Sequence, residues 1–215
     1  MITQNIFPTD FNALIDKLST QGYVIVDDFL PENIIVALRD EAHQRHANNE
    51  MMVAKTGLAK QSLQSGIRGD HILWLDEDNQ NSNIQAYYRQ MHALKAALNQ
   101  QLFMNLQSLE THLAIYPVGN NYRKHLDQFS PSHDQRYDFK ARQLSSILYL
   151  NAGWQAQDGG ELRLYLNEFE HLDILPTAGR LVLFLSAKFW HEVRPAKRER
   201  ASLTGWFRTR SQSFI

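Results

Sequence analysis

The chain has 215 residues, 43% hydrophobic and 21% charged, the balance of a globular protein that can bury a core without staples. It contains no cysteine, which excludes disulfides, zinc–thiolate sites, iron–sulfur clusters and cysteine nucleophiles. A net charge of −1 provides no field for nucleic acid or anionic lipid, so neither is expected as a partner, and the nine histidines leave imidazole and carboxylate as the route to a transition metal.

Residues 1–10 carry no basic region and no continuous apolar run. No stretch approaches the ~18 apolar residues of a membrane span. The expected location is the cytoplasm. Asp10 is placed to cap a short helix with Phe11, Leu14, Ile15 and Leu18 on one face, and Gly22 to end it. Tyr23 to Val26 reads as a strand. Pro31 suits the first turn of a second helix carrying Ile34, Ile35, Leu38 and Ala42. Residues 48–69 are polar, punctuated by glycine and without helical period, as in a long functional loop. Order resumes at Asp70 to Trp74 with a strand. Ser82 and Gln85 have the spacing of a capping box opening a third helix with Ile84, Tyr87, Met91, Leu94 and Leu98.

From about residue 110 the period becomes that of strands. Candidates are 112–117, 122–127, 144–151, 160–166, 172–175, 180–185, 188–194 and 200–209, divided by Pro117, Gly119, Gly153, Gly159, Gly160, Pro176, Gly179 and Pro195. Eight short strands at this spacing suggest a closed sandwich or jelly roll, with the three helices packed on one outer face. No linker divides the chain. The expectation is one domain over 1–215, a helical and mixed support region over 1–110 and the jelly-roll core over 111–210.

His125-Leu-Asp127 places an imidazole and a carboxylate two residues apart on a candidate strand, where alternate side chains share a face. A third ligand would complete a facial triad suited to non-haem Fe(II). The motif alone is weak: nine histidines and thirteen aspartates give roughly half an H-x-D by chance. A second instance, His171-Leu-Asp173, lies in an acidic stretch that reads as a solvated rim. The first has His191 in a strand-like run after 63 intervening residues, enough for the intervening strands of a jelly roll. The favoured ligands are therefore His125, Asp127 and His191. The six histidines outside both motifs, His43, His46 and His133 among them, are assigned to surface or helix faces.

In the last strand, Arg200, Ser202, Thr204 and Trp206 share one parity, and Ala201, Leu203, Gly205 and Phe207 the other. If the polar face points inward, Arg200 is a buried guanidinium in need of an anion. If it points outward, Arg200 belongs to the basic turn before it. Parity does not choose between the two.

These residues carry a resemblance to a known family. The chain resembles the Fe(II)- and 2-oxoglutarate-dependent prolyl 4-hydroxylases, in the prolyl hydroxylase domain branch that includes oxygen-sensing hydroxylases and bacterial relatives. The likeness runs from about Gly22 to Arg210. Its specific strings are Val26-Asp-Asp-Phe-Leu30, Ile67-Arg-Gly-Asp70 before Trp74, Tyr122-Arg-Lys-His-Leu-Asp127, Tyr149-Leu-Asn151, Gly159-Gly-Glu-Leu-Arg163 and His191-Glu-Val-Arg-Pro-Ala196. The segment from Tyr116 to Tyr122 is about one residue shorter than in the animal enzymes.

The resemblance implies an α+β fold built on a double-stranded β-helix. It implies Fe(II) on His125, Asp127 and His191, with 2-oxoglutarate, O2 and ascorbate as companions. Arg200 and Tyr149 would take the distal carboxylate of 2-oxoglutarate. Tyr116, Thr204 and Trp206 would line its pocket, and Arg68 and Asp70 would meet substrate at the end of the 48–69 loop. A surface ion pair is the alternative reading of Arg68 and Asp70, and their place at the end of the loop favours substrate contact over it. The loop 130–142 could flank the site mouth. The implied reaction is hydroxylation of a proline in a protein substrate by a monomer, with elongation factor Tu a candidate on the bacterial side. An oxygenase acting on another residue or a small molecule, and a metal-binding sensor without catalysis, are the alternatives.

Overall fold

The computed structural model describes residues 10–54, 68–128 and 141–209. The first helix, α1 (Phe11–Gln21), begins as its sequence dictates. The Asp10 carboxylate accepts from the amides of Asn12 and Ala13 at 2.9 and 3.3 Å. It ends at Gly22, whose φ of 84° only glycine adopts cheaply, with its amide donating to Leu18. Strand β1 (Tyr23–Val26) follows, then α2 (Glu32–Ala47), for which Pro31 is the residue before the first turn and not within it. A two-residue strand, β2 (Met52–Val53), lies inside the stretch expected to be loop. The rest of that stretch, 55–67, falls outside the described residues.

Strand β3 (His71–Leu75) leads into α3 (Ser82–Leu102). Here the capping box expected from Ser82 and Gln85 fails by one residue. Asn81 is the cap, its side-chain oxygen accepting from Asn83 and Ile84, while Gln85 donates back to the carbonyls of Glu77 and Asn79. Asparagine caps at least as well as serine and stands one position earlier, so the helix starts there. Ile84, Tyr87, Met91, Leu94 and Leu98 are all buried, as their spacing requires.

All eight expected later strands form: β4 (Ser108–Tyr116), β5 (Tyr122–His125), β6 (Arg142–Tyr149), β7 (Leu162–Tyr165), β8 (His171–Ile174), β9 (Leu181–Leu185), β10 (His191–Val193) and β11 (Arg200–Arg208). They divide four and four between two antiparallel sheets. The larger has the order β1-β9-β6-β11-β4-β3-β2 and the smaller β5-β10-β7-β8. This is the double-stranded β-helix arrangement, with three extra strands widening one sheet.

The larger sheet is buried on both faces for two different reasons. Leu113, Ile115, Leu148, Leu183, Ala201, Leu203 and Phe207 face the helices and share a core with Leu14, Leu38, Tyr87 and Leu94. The alternate residues, Ala114, Tyr116, Ile147, Tyr149, Val182 and Phe184, face the smaller sheet and pack with Leu162, Leu164 and Val193. Each buried leucine of the first core is worth about 1.5–3 kcal/mol over exposure. The helices thus hold the large sheet rigid from outside and leave its inner face free to carry a site.

Candidate active site

The inner face of β11 is the polar one. Arg200 and Ser202 are fully buried, Trp206 is buried and Thr204 partly so, which settles the direction that parity alone left open. Opposite, β10 pairs with β5 so that His191 and His125 are direct cross-strand partners. Strand β5 stops at His125, earlier than expected, and Asp127 lies in the bend beyond it. The carboxylate still reaches both imidazoles: His125 Nε2 is 3.6 Å from Asp127 Oδ1, and His191 Nε2 is 3.6 Å from Asp127 Oδ2. One donor atom from each of the three lies within 4.8 Å of the others, the one such His/Asp/Glu group among the described residues.

The neighbours of the triad prepare it for a cation. His125 Nδ1 lies 2.7 Å from the Arg123 carbonyl and His191 Nδ1 3.1 Å from that of Phe189. An N–H at each Nδ1 leaves the Nε2 lone pairs facing Asp127. Ser145, invisible to sequence reasoning, donates its hydroxyl to Asp127 Oδ2 at 2.7 Å and contacts Ser186 at 2.9 Å. Burial pushes the Asp127 carboxyl up, but His191, His125 and Arg142 outweigh it and hold the group well below the usual carboxylate range. Burial, with His125 beside it, lowers His191 to about 4, so its imidazole is neutral and able to ligate at neutral pH.

The other H-x-D shows what the same motif does without a site. Both His171 and Asp173 are exposed on β8, and Asp173 is held by Arg163 through two bonds of 2.7 Å. It remains a solvated rim, as its acidic surroundings suggest.

Arg200 marks the far end of the same inner face. Its guanidinium carbon lies 5.0 Å from the Tyr116 ring and 4.9 Å from the Tyr149 ring. Among the described residues it has no carboxylate partner, and its Nε makes no hydrogen bond. The Tyr149 hydroxyl is likewise buried without a partner. Burial raises the Tyr149 phenol, and Arg200 pulls it partly back. Tyr116 is the cross-strand partner of Arg200, and burial followed by the Asp70 charge raises its phenol. Thr204 contacts Ser202 at 3.2 Å through its hydroxyl. An unpaired cation and an unpaired hydroxyl, side by side in a dry pocket, are the fittings for a carboxylate.

Arg68 and Asp70 are bound to each other, not free. Arg68 Nε and Nη2 donate to Asp70 at 2.6 and 2.8 Å, and Asp70 is 1% exposed, so the pair is no surface bridge. Arg68 also covers the Tyr122 ring, which stacks on His125 at 3.6 Å. Gly69 between them donates to the Asn121 carbonyl, and its own carbonyl accepts from Asn120 Nδ2 at 2.6 Å. A Cβ at Gly69 would stand 2.8 Å from the Asn120 side chain. Gly69→Ala should therefore displace Asn120, break that bond and cost about 1–3 kcal/mol in thermal or denaturant unfolding. An unchanged unfolding midpoint would show that Asn120 yields freely.

The expectation for the remaining histidines needs correction. His43 and His46 lie on α2 as assigned, and His133 falls outside the described residues. His71, however, is on β3 against His46, and His112 is buried on the inner face of β4, in the same parity as Tyr116.

A family model described as the 2OG-Fe(II) oxygenase superfamily matches residues 111–208. A solved prolyl-4-hydroxylase from Pseudomonas putida is 43% identical, with a TM-score of 0.81, covering 94% of this chain and 100% of that one. The chain belongs to the prolyl 4-hydroxylase branch of the 2OG-Fe(II) oxygenases. A Trichoplax adhaerens prolyl hydroxylase, solved with a hypoxia inducible factor oxygen degradation domain peptide fragment, is 28% identical over 93% of this chain and 89% of that one, with a TM-score of 0.79. Human Egl nine homolog 1 is 28% identical over 201 residues, 90% of this chain. The chain spans about half the length of such curated relatives, 45% in the human case. The 2OG-Fe(II) oxygenases use Fe(II), 2-oxoglutarate and O2. The residues present fit that set: two imidazoles and a carboxylate for the metal, an orphaned buried guanidinium and phenol for a dicarboxylate. Among the described residues, no helix is long and apolar enough to cross a membrane.

Proposed function

We propose that this chain hydroxylates C4 of a proline in a protein substrate, with His125, Asp127 and His191 holding Fe(II) and Arg200 with Tyr149 holding the distal carboxylate of 2-oxoglutarate. One observation carries the reading. Arg200 is fully buried with no anion beside it among the described residues, on the same inner face as a two-histidine, one-carboxylate cluster. A buried cation of this kind is costly unless a ligand completes it.

When bound, iron and 2-oxoglutarate supply the oxidative chemistry, in which O2 is consumed, the cosubstrate becomes succinate and carbon dioxide, and one oxygen atom enters the substrate. The chain's own residues orient and shield. Three ligands on one side leave the remaining positions open. Arg200 and Tyr149 fix the cosubstrate by its far end, so its reactive end has one orientation. Tyr116, Thr204 and Trp206 line the pocket between. Ser145 holds the Asp127 carboxylate in place. Arg68 and Asp70, at the edge of residues 55–67, would meet the polypeptide.

The prolyl 4-hydroxylase from Pseudomonas putida and the peptide-bound Trichoplax adhaerens relative support a proline in a peptide as the target. Elongation factor Tu is the candidate protein, which places the reaction in the cytoplasm. A monomer suffices for this site, and ascorbate would keep the iron reduced. The test is incubation of purified elongation factor Tu with the chain, Fe(II), 2-oxoglutarate and O2, followed by peptide mass spectrometry. The expected result is one added oxygen on a proline with matching succinate. Succinate without any modified proline in this protein or in a cell extract, or oxygen added to another residue, would overturn the prolyl reading.

A further inference from the structure

Among the described residues, His112 is the one buried histidine that the iron and 2-oxoglutarate chemistry does not use. It is 1% exposed, and its Nδ1 has no hydrogen-bond partner. It stands between two tryptophans on the inner face of the large sheet. Its cross-strand partner on β3 is Trp74, with rings 4.8 Å apart and edge-on, and its ring lies 5.5 Å from that of Trp206 on β11. Trp74 is 47% exposed whereas Trp206 is buried, so the three rings form a wall running from the surface inward. The Trp206 Nε1–H, a donor only, is also buried without a partner.

Two orphaned nitrogens on one aromatic wall point to an absent ligand. A histidine kept for packing alone would have its ring nitrogens satisfied, since a buried polar group without a partner destabilises the fold. Burial first, and the Arg68 charge second, lower the His112 imidazole to about 3, so it remains neutral, with one N–H and one lone pair. The charged groups that act on it are Arg68, Asp70, Arg142 and Asp127. Trp74, the exposed end of the wall, shares strand parity with Asp70, so a polypeptide held at the Arg68–Asp70 pair lies on the same face as this wall.

The wall has the chemistry of a proline and its flanks. A pyrrolidine ring packs on flat aromatic faces. Proline has no backbone N–H, so the chain around it presents carbonyl acceptors. Ring N–H donors complement these.

We propose that His112 is a specificity-determining residue, its ring donating a hydrogen bond to a backbone carbonyl beside the target proline. This rests on the prolyl reading above, and the test separates the two. The probe is a degenerate pool of short peptides, each with one central proline, given to the full chain with Fe(II), 2-oxoglutarate and O2. Products are counted as peptides gaining one oxygen. His112→Leu should raise KM for the most reactive pool peptide by about tenfold or more without changing KM for 2-oxoglutarate, and His112→Gln, which can still donate, should restore most of the loss. In wild-type protein labelled with ¹⁵N-histidine, that peptide should shift the His112 ring resonances. This measurement decides the matter if His112→Leu fails to fold.

Equal peptide KM values for wild type and His112→Leu, or ring resonances unmoved at saturating peptide, overturn the His112 assignment alone. So does equal damage from leucine and glutamine with both KM values rising together, the mark of a purely structural role. No hydroxylated proline from wild type overturns the prolyl reading, and the His112 inference with it.

Discussion

Asp127→Ala is expected to lose Fe(II) binding and succinate formation together, to background. The carboxylate is the only anion of the triad and lies 3.6 Å from each imidazole nitrogen. Without it, two imidazoles face a dication in a buried pocket, and no described residue supplies a replacement within the cluster. Burial alone would favour the protonated acid, yet His191, His125 and Arg142 keep Asp127 ionised, so the site is built to have that charge. A graded companion sharpens the test. Ser145→Ala removes the 2.7 Å bond that orients Oδ2, together with the contact to Ser186, and should weaken metal affinity by roughly 10–100-fold without abolishing turnover at saturating iron. Metal content after dialysis and succinate yield against added Fe(II) measure both. Iron-dependent turnover in Asp127→Ala would remove Asp127 from the ligand set.

The sequence made some of this legible and hid the rest for definite reasons. Helix faces were plain because Leu14, Ile15 and Leu18, or Ile84, Tyr87 and Met91, repeat at the helical period, and all are buried. Periodicity also revealed that β11 has a polar and an apolar face. It could not say which face is inward, because that depends on helices more than a hundred residues away covering Ala201, Leu203 and Phe207. Ser145 has no local signal at all. Only the register of β6 beside β11 and the bend at Asp127 bring its hydroxyl to the carboxylate. His112 could have been found. It shares strand parity with Ala114 and Tyr116, and a histidine in phase with a candidate pocket residue on a buried strand faces the pocket. Local chemistry misled at α3, where Ser82 and Gln85 have the spacing of a capping box but Asn81 precedes them and takes the cap.

Arg200→Met is expected to separate stability from cosubstrate binding, moving them in opposite directions. In the wild-type chain the guanidinium is fully buried between Tyr116 and Tyr149, its Nε without a hydrogen bond and no carboxylate beside it among the described residues. Replacing a buried charged group with an apolar side chain of similar length is neutral or stabilising by about 1–4 kcal/mol. The ligand-free variant should thus melt no lower than wild type, and above it if the full relief is realised. Adding 2-oxoglutarate with a divalent metal reverses the order. Wild type gains stability by mass action as ligand binds the folded state. The variant lacks the group that would neutralise the distal carboxylate. Losing one partner of a buried ion pair costs about 3–5 kcal/mol, which corresponds to a KM for 2-oxoglutarate raised by about a hundredfold or more. Two melting curves per protein, with and without 2-oxoglutarate, and the KM from succinate formation decide it. A variant that binds 2-oxoglutarate as tightly as wild type would show that Arg200 answers some other anion, and the cosubstrate pocket would have to be sought elsewhere on the inner face.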